Sequence, residues 1–425
     1  MKVKGLRWWI ITLICLATVI NYIDRTAFGV MWPEMGKDLG MDESDYGIML
    51  SIFMGTYAIG KFLSGKLYDI IGTRMGFVVS IVVWSVASVF HAFARGLISL
   101  TLFRALLGLG EAGNWPGAVK SNGEWFPVKQ RAIAQGIFNA GASLGSVIAP
   151  VLIAFLYGHF GWRMTFIIIG LVGLLWVIPW LFINKSKPGK HPWITEEELK
   201  FINCDRIVDI DKEENEKGLS VGQILSYKES WGVLASRFFI EPIWWLFVGW
   251  MPLYLNSEFG FSVEEIGSTI WISYLGGMAG SIIGGWYSGK LMEKKSVDAA
   301  RKITITIGGA LIFLGLVGII FLVNENNPMT FIYIVAVVLF GFQFAIGNIQ
   351  TISSDLFRGP SVGTLAGLAG TVAAVSVIIM NSLIPMIAQV SYTPAFIVIA
   401  VLAPLAVLSI YILIKNIRPV EVELE

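Results

Sequence analysis

Ser64-Gly-Lys-Leu-Tyr-Asp69 closes one apolar run of this sequence, and Ser288-Gly-Lys-Leu-Met-Glu293 closes another six runs later. The runs between and around these two copies set the architecture. Segments of about 20 or more apolar residues suit a bilayer core of roughly 30 Å at 1.5 Å rise per residue. Spans are expected near 7–33, 46–68, 75–94, 97–123, 131–157, 162–184, 232–256, 264–291, 301–323, 328–354, 361–389 and 392–415. The long polar stretch 184–230, with a helix-forming Glu196–Ile202 and the charge run Asp209–Lys217, divides them six and six. The repeated motif then ends spans two and eight on the same side. The expectation is an all-α membrane protein of twelve transmembrane helices in two pseudo-symmetric halves, 1–184 and 231–425, joined by a linker at 185–230. Parallel halves of this kind let one bundle rock against the other around a midplane site.

Composition agrees. Of 425 residues, 55% are hydrophobic and 14% charged, a balance that water-soluble domains avoid because it exposes apolar surface. A net charge of +1 gives no basic patch for nucleic acid. Cys15 and Cys204 lie far apart in sequence, so neither a disulfide framework nor a metal-ligand cluster follows. Met1–Trp9 is basic and runs into apolar sequence, as a signal peptide does. That apolar segment is longer than a signal core, holds Asp24 and Arg25, and lacks a small-residue cleavage site, so it reads as the first span.

Lys and Arg set the orientation. Loops on the side of the N-terminus hold Lys66, Arg74, Lys129, Arg131, Lys294, Lys295, Arg301, Lys302 and Arg358, whereas the opposite loops hold little beyond Lys37, Arg95 and Arg163. The positive-inside bias places both termini and the linker in the cytoplasm of a multi-pass cell inner membrane protein.

Gly65-Lys-Leu-Tyr-Asp-Ile-Ile-Gly-Thr-Arg74 resembles the loop motif between helices two and three of the major facilitator superfamily. Within it, Asn21-Tyr-Ile-Asp-Arg25, Arg104-Ala-Leu-Leu-Gly-Leu-Gly-Glu111-Ala-Gly-Asn-Trp-Pro116 and Glu124-Trp-Phe-Pro127 resemble the anion:cation symporter family. Gly136-Ile-Phe-Asn-Ala-Gly-Ala-Ser-Leu-Gly145, Pro242-Ile-Trp-Trp245 and Asn348-Ile-Gln-Thr-Ile-Ser-Ser-Asp355 are similar to its hexuronate-transporter branch. The resemblance implies substrate binding by Arg25, with hydroxyl donors at Tyr22 and Tyr57, and protonation of Asp24 and Glu111. It implies a gate at Asp69 and Arg74. Three positions depart from the pattern: Lys61 stands where an uncharged polar residue is expected, Glu241 replaces an aspartate, and Gly370 stands where aldonate carriers have asparagine.

The residues themselves support an anion pathway. Ionised groups inside a membrane cost several kcal/mol unless paired or hydrated, so they usually mark a route. Asp24, Arg25, Lys61, Arg104 and Glu111 fall inside spans, with Arg104 and Glu111 seven apart on one helical face. The planar fork of Arg25 matches a carboxylate bidentately; alternatively it only neutralises Asp24. Lys61 either contacts substrate or snorkels along its helix. Gln343, Asn348 and Thr351, with Asn139 and Ser143, offer neutral groups for sugar hydroxyls, although Ser and Thr in such helices often bond their own backbone. His91, His159 and His191 fall at helix ends or in the linker, so none is placed for coupling. The expected function is proton-coupled import of a monocarboxylate sugar acid by a monomer in the lipid bilayer, with no metal and no cofactor. The substrate expected first is a hexuronate, with an aldonate, aldarate or unsaturated uronate as alternatives. An enzyme is disfavoured because no nucleophile–base pair, metal-ligand set or nucleotide loop is present. A sugar-acid receptor that binds without transport remains the rival from another class.

Overall fold

The computed structural model describes residues 2–41, 43–204, 218–261, 263–324, 327–357, 359–388 and 392–420. The charge run 209–217 and Arg358 lie outside the described residues. The chain forms helices α1 (Leu6–Leu39), α2 (Glu43–His91), α3 (Leu97–Glu111), α4 (Asn114–Trp125) and α5 (Val128–Ile183). Short helices α6 (Glu196–Ile202) and α7 (Val221–Ser226) follow. The chain then continues with α8 (Lys228–Phe259), α9 (Val263–Leu291), α10 (Val297–Leu322), α11 (Pro328–Leu356), α12 (Val362–Ala388) and α13 (Thr393–Leu413).

Two of these helices are too long for one crossing. α2 has 49 residues and α5 has 56, each about twice what a bilayer needs. Each is interrupted at a single residue: Gly72 at φ 75°, ψ 169° and Gly161 at φ 72°, ψ 170°. That backbone region is open essentially to glycine alone, so one glycine does the work of a whole loop. With α2 and α5 counted as two passages each and α3–α4 as one, the described residues supply twelve passages. The break between α3 and α4 is slight. Ala112 and Gly113 stay helical in dihedral, while Pro116 withholds the amide that would bond Ala112.

The burial pattern is inverted relative to a soluble protein. Ile98, Phe321 and Val151 are 79%, 78% and 74% exposed, whereas Asp24, Arg104, Glu111 and Arg301 are at most 1% exposed. Lipid on the outside and a polar interior produce this distribution. Close helix contacts come from small residues. Gly276, Gly280 and Gly284 of α9 lie against the backbone at Ala336, Phe340 and Phe344 of α11, at matched four-residue intervals, and a Cβ at any of them would strike a carbonyl. Gly141 and Gly145 likewise pack on Cys15, Val19 and Tyr22, and Gly136 packs on Ser281. These are packing glycines.

The chain resolves into two compact units. One comprises Met1–Pro127, Gly141–Leu219 and Gly359–Thr371; the other comprises Val128–Ala140, Ser220–Arg358 and Val372–Glu425. In the first unit, α6 forms where the sequence predicts it, capped by the Thr195 hydroxyl, which accepts from the Glu198 amide at 3.2 Å. The buried Glu198 carboxylate accepts from the amides of Leu6 and Arg7 at 3.0 and 3.2 Å and from the Arg7 guanidinium at 2.7 Å. It thereby satisfies donors at the start of α1 that the helix cannot satisfy itself.

Candidate functional site

In the first unit, one face of α2 carries Phe53, Tyr57 and Lys61 at four-residue spacing, with the rings of Phe53 and Tyr57 stacked 5.8 Å apart. Three cations sit against this ladder. Arg104 from α3 lies over Phe53 at 4.7 Å and over Phe28 of α1 at 4.2 Å. Arg25 from α1 lies over Phe53, Tyr22 and Tyr57 at 5.4, 5.3 and 4.8 Å. Lys61 Nζ lies 4.6 Å from the same Tyr57 ring and 5.9 Å from Trp115 of α4. Each such contact contributes roughly 2 kcal/mol when desolvated, less than the several kcal/mol that burying an ion costs. Aromatic faces alone therefore do not balance these charges.

The carboxylates distribute unevenly among them. Arg25 donates through Nε and Nη2 to one oxygen of Glu111, Oε2, at 3.0 and 2.7 Å. Arg25 Nη1 and Glu111 Oε1 are buried with no hydrogen-bond partner. Asp24 is not the partner of Arg25; its Oδ1 accepts from the Ser88 hydroxyl at 2.7 Å. Arg104 Nε and Nη1 are buried without an acceptor. Lys61, 5% exposed, has neither a carboxylate nor a hydrogen-bond acceptor among the described residues. Its stem passes over Gly370, where a Cβ would come within 2.9 Å of Lys61 Cδ. His91, which sequence position set aside as a helix-end residue, is fully buried, donating from Nδ1 to the Ala87 carbonyl at 2.7 Å and stacking on Phe166.

Asp69 and Arg74, the residues expected as a gate, lie in the same unit. Asp69 pairs with Lys120 and accepts from the amides of Gly363 and Thr364 at 3.1 and 2.7 Å and from the Thr364 hydroxyl at 2.6 Å. It therefore caps the first turn of α12, whose free amides and dipole favour an anion there. Arg74 contributes its carbonyl, which accepts from Trp180 at 2.9 Å, and its Nε is buried without a partner.

The second unit holds a different arrangement around Asp355. Its Oδ1 accepts from Arg131 at 3.1 Å and its Oδ2 from Arg301 at 2.9 Å. Arg301 also donates to Ser288, Asn348 and the Val128 carbonyl. Asn348 spends its own amide on the carbonyls of Gly284 and Phe344, at 3.3 Å each. Thr351 bonds the Gly347 carbonyl at 2.6 Å, and Asn139 and Gln135 both donate to the side-chain Oε1 of Gln350 at 3.0 and 2.8 Å. Gln343 Oε1 and, in the first unit, Ser143 Oγ are buried without partners. Among the polar residues expected to meet hydroxyls, these two keep free capacity, whereas Asn348 and Thr351 are engaged by protein. Among the described residues, no three His, Cys, Asp or Glu gather as metal ligands.

Phe28, Phe53, Trp115, Ser88 and Asn21 join the first cluster although sequence reasoning assigned them no role. Two had usable signals: Phe53 lies one turn before Tyr57, and Trp115 lies one turn after Glu111.

Comparison with known proteins shows the family. The family model described as Major Facilitator Superfamily matches residues 14–381. A hexuronate transporter of Escherichia coli is 31% identical over 428 residues, covering 100% of this chain and 98% of that protein. A galacturonate transporter of Dickeya chrysanthemi is 32% identical over 317 residues, covering 74% and 91%. A probable galactarate/D-glucarate transporter of Bacillus subtilis is 30% identical over 435 residues, covering 99% and 94%. The chain thus belongs to the Major Facilitator Superfamily: it is a multi-pass membrane transporter of twelve helices in two halves, and not an enzyme.

Proposed function

We propose that this transporter is a proton-coupled symporter that imports a monocarboxylate sugar acid, a hexuronate such as glucuronate or galacturonate, by alternating access. The Arg25–Glu111 pair, its carboxylate side chain fully buried and its arginine side chain 13% exposed, carries this proposal. Glu111 holds the Nε–Nη2 edge of the guanidinium through a single oxygen, and that edge is the one a substrate carboxylate takes with two. A proton on Glu111 removes the competing charge and leaves Arg25 for the substrate. Loss of that proton returns Arg25 to Glu111 and releases the anion. One proton entering with one monovalent anion leaves the cycle electroneutral. Asp24, held by Ser88 beside this pair in sequence, is the second proton carrier.

Halves 1–184 and 231–425, joined by 185–230, move around the site. The Lys and Arg excess on the loops of one side supports cytoplasmic termini in the cell inner membrane. The hexuronate and galacturonate carriers among the relatives support the substrate class. The test is uptake of labelled galacturonate and glucuronate into proteoliposomes. An inward proton gradient is expected to drive accumulation that a protonophore collapses. Accumulation indifferent to the gradient would overturn the coupling, and uptake of neither sugar acid would overturn the substrate class.

A further inference from the structure

We infer that His91 is a relay that passes protons to Asp24 from the end of α2 remote from Gly72, the end that the charge bias puts on the extracytoplasmic side. The inference rests on the proton-coupled reading above and adds the route by which the proton reaches its carrier. It starts from a ring whose two nitrogens are treated unequally. His91 Nδ1 donates to the Ala87 carbonyl at 2.7 Å, which leaves Nε2 as the acceptor of a neutral imidazole. Nε2 is buried and has no hydrogen-bond partner. Burying an acceptor without a donor costs about 1–3 kcal/mol. Apolar rings lie against the imidazole, Phe166 stacked at 4.9 Å and Phe103 at 6.1 Å, so a phenyl group would pack here without that cost. What the imidazole adds is a lone pair.

The neighbourhood of that lone pair includes the bond that holds Asp24. Ser88 and His91 are one turn apart on one face of α2, and both meet Phe166: Ser88 at its carbonyl, 3.5 Å away, and His91 at its ring. The Ser88 hydroxyl donates to Asp24 Oδ1 at 2.7 Å. Phe28, Ala92, Ala94, Leu100, Trp162 and Phe166 belong to one buried apolar cluster around the last turn of α2. A proton bound for Asp24 through such surroundings needs a group that accepts and then donates, and a neutral imidazole does both. The charged and titratable groups around His91 and Asp24 are Arg25 of α1, Tyr46 of α2, and Arg104 and Glu111 of α3. The arginines have no lone pair to accept with, and Glu111 is engaged by Arg25. In the transfer a proton first binds Nε2. The Nε2–H bond then breaks as the Ser88 oxygen takes that proton, directly or through one water, while the Ser88 O–H bond breaks and an Asp24 Oδ1–H bond forms. Histidine and serine end as they began, and Asp24 is neutral.

A relay sets a rate and not a stoichiometry, and the experiment uses that difference. His91→Phe keeps a ring against Phe166 and removes both nitrogens; His91→Gln keeps a polar group that does not titrate. Labelled galacturonate is followed in proteoliposomes of wild type and of each variant. The initial rate of uptake driven by an inward proton gradient is expected to fall by about tenfold or more in both variants, most at alkaline external pH. Final accumulation, and counterflow without a gradient, are expected to stay within about twofold of wild type, because neither depends on how fast the proton arrives. Equal losses of counterflow and driven uptake would overturn the inference and mark His91 as packing. An unchanged initial rate would overturn it, as would loss of the final accumulation, which marks a carrier and not a relay. Should neither variant fold, wild type in heavy water decides: driven uptake is expected to slow by roughly twofold more than counterflow, and equal slowing overturns the inference. Failure of wild type to accumulate galacturonate on a proton gradient would instead overturn the coupling on which the inference stands.

Discussion

Two buried charge clusters in this protein use similar residues and leave them in opposite states. Around Asp355, two arginines, an asparagine, a serine and a backbone carbonyl close on one another, with both carboxylate oxygens occupied. Around Arg25, one carboxylate oxygen takes two bonds and the other takes none, and among the described residues neither Arg104 nor Lys61 has a hydrogen-bonded carboxylate. A saturated network stabilises one arrangement and has nothing left for a ligand. An unsaturated one is unfavourable on its own and becomes favourable when substrate or a proton enters. The contrast separates a structural clasp from the proposed substrate site, although residue type alone does not distinguish them.

The largest effect expected from that contrast is on folding. Asp355→Ala leaves Arg131 and Arg301 buried without their anion, a loss of about 3–5 kcal/mol. It is expected to appear as lost monodisperse protein and a lower unfolding temperature in detergent. Unchanged thermal stability would remove the distinction between the clusters. Arg25→Lys is expected to do the reverse. The protein stays folded, and sugar-acid uptake falls by roughly two orders of magnitude, because an ammonium keeps the charge and loses the bidentate fork. Normal uptake by this variant would show that Arg25 does not hold the carboxylate.

Gly161→Ala tests the turn that lets α5 cross twice. A side chain at φ 72°, ψ 170° carries strain of about 1–3 kcal/mol, so a fall in unfolding temperature smaller than that for Asp355→Ala is expected. No fall would mean that the turn relaxes at no cost. The exposed Asp38–Arg163 pair gives the smallest effect. Arg163 and Trp162 donate to Asp38 at 2.6 and 3.0 Å and hold its carboxyl below its ordinary value of 3.8. A lowered folded-state value means that the contribution is complete above 3.8 and is lost as pH falls through the lower value. Asp38→Asn is therefore expected to narrow the stability difference between neutral and strongly acidic pH only slightly, because water screens the pair. A large change would show that this end of α1 depends on it.

Much of the fold is legible in sequence because spans, the repeated Ser64–Asp69 and Ser288–Glu293 motifs, and the capped helix at Glu196–Ile202 are local patterns. Partnerships are not local. Asp24 and Arg25 are neighbours in sequence, but adjacent residues on a helix point about 100° apart. Arg25 meets Glu111 instead, 86 positions on, and Asp24 meets Ser88. Asp69 is expected as a gate residue from its motif, but the motif does not name the groups that hold it, Lys120 and the first turn of α12. Asn348 looked available for hydroxyls because the arginine that takes its oxygen comes from a different helix, α10. Residue type located the charges, whereas the packing of helices distant in sequence decided which of them are spent.

Glu111 is where the account is most exposed, since the same carboxylate is assigned to hold Arg25 and to carry the driving proton. The decisive measurement pairs counterflow with pH-driven uptake of a labelled hexuronate in the same Glu111→Gln proteoliposomes. Glutamine mimics the protonated acid permanently, so Arg25 stays available and exchange of labelled for unlabelled substrate is expected to continue. Net accumulation driven by a proton gradient is expected to vanish, because the empty carrier has no proton to release and reload. Full pH-driven accumulation by Glu111→Gln would contradict the account and leave the coupling to Asp24 alone or to another ion.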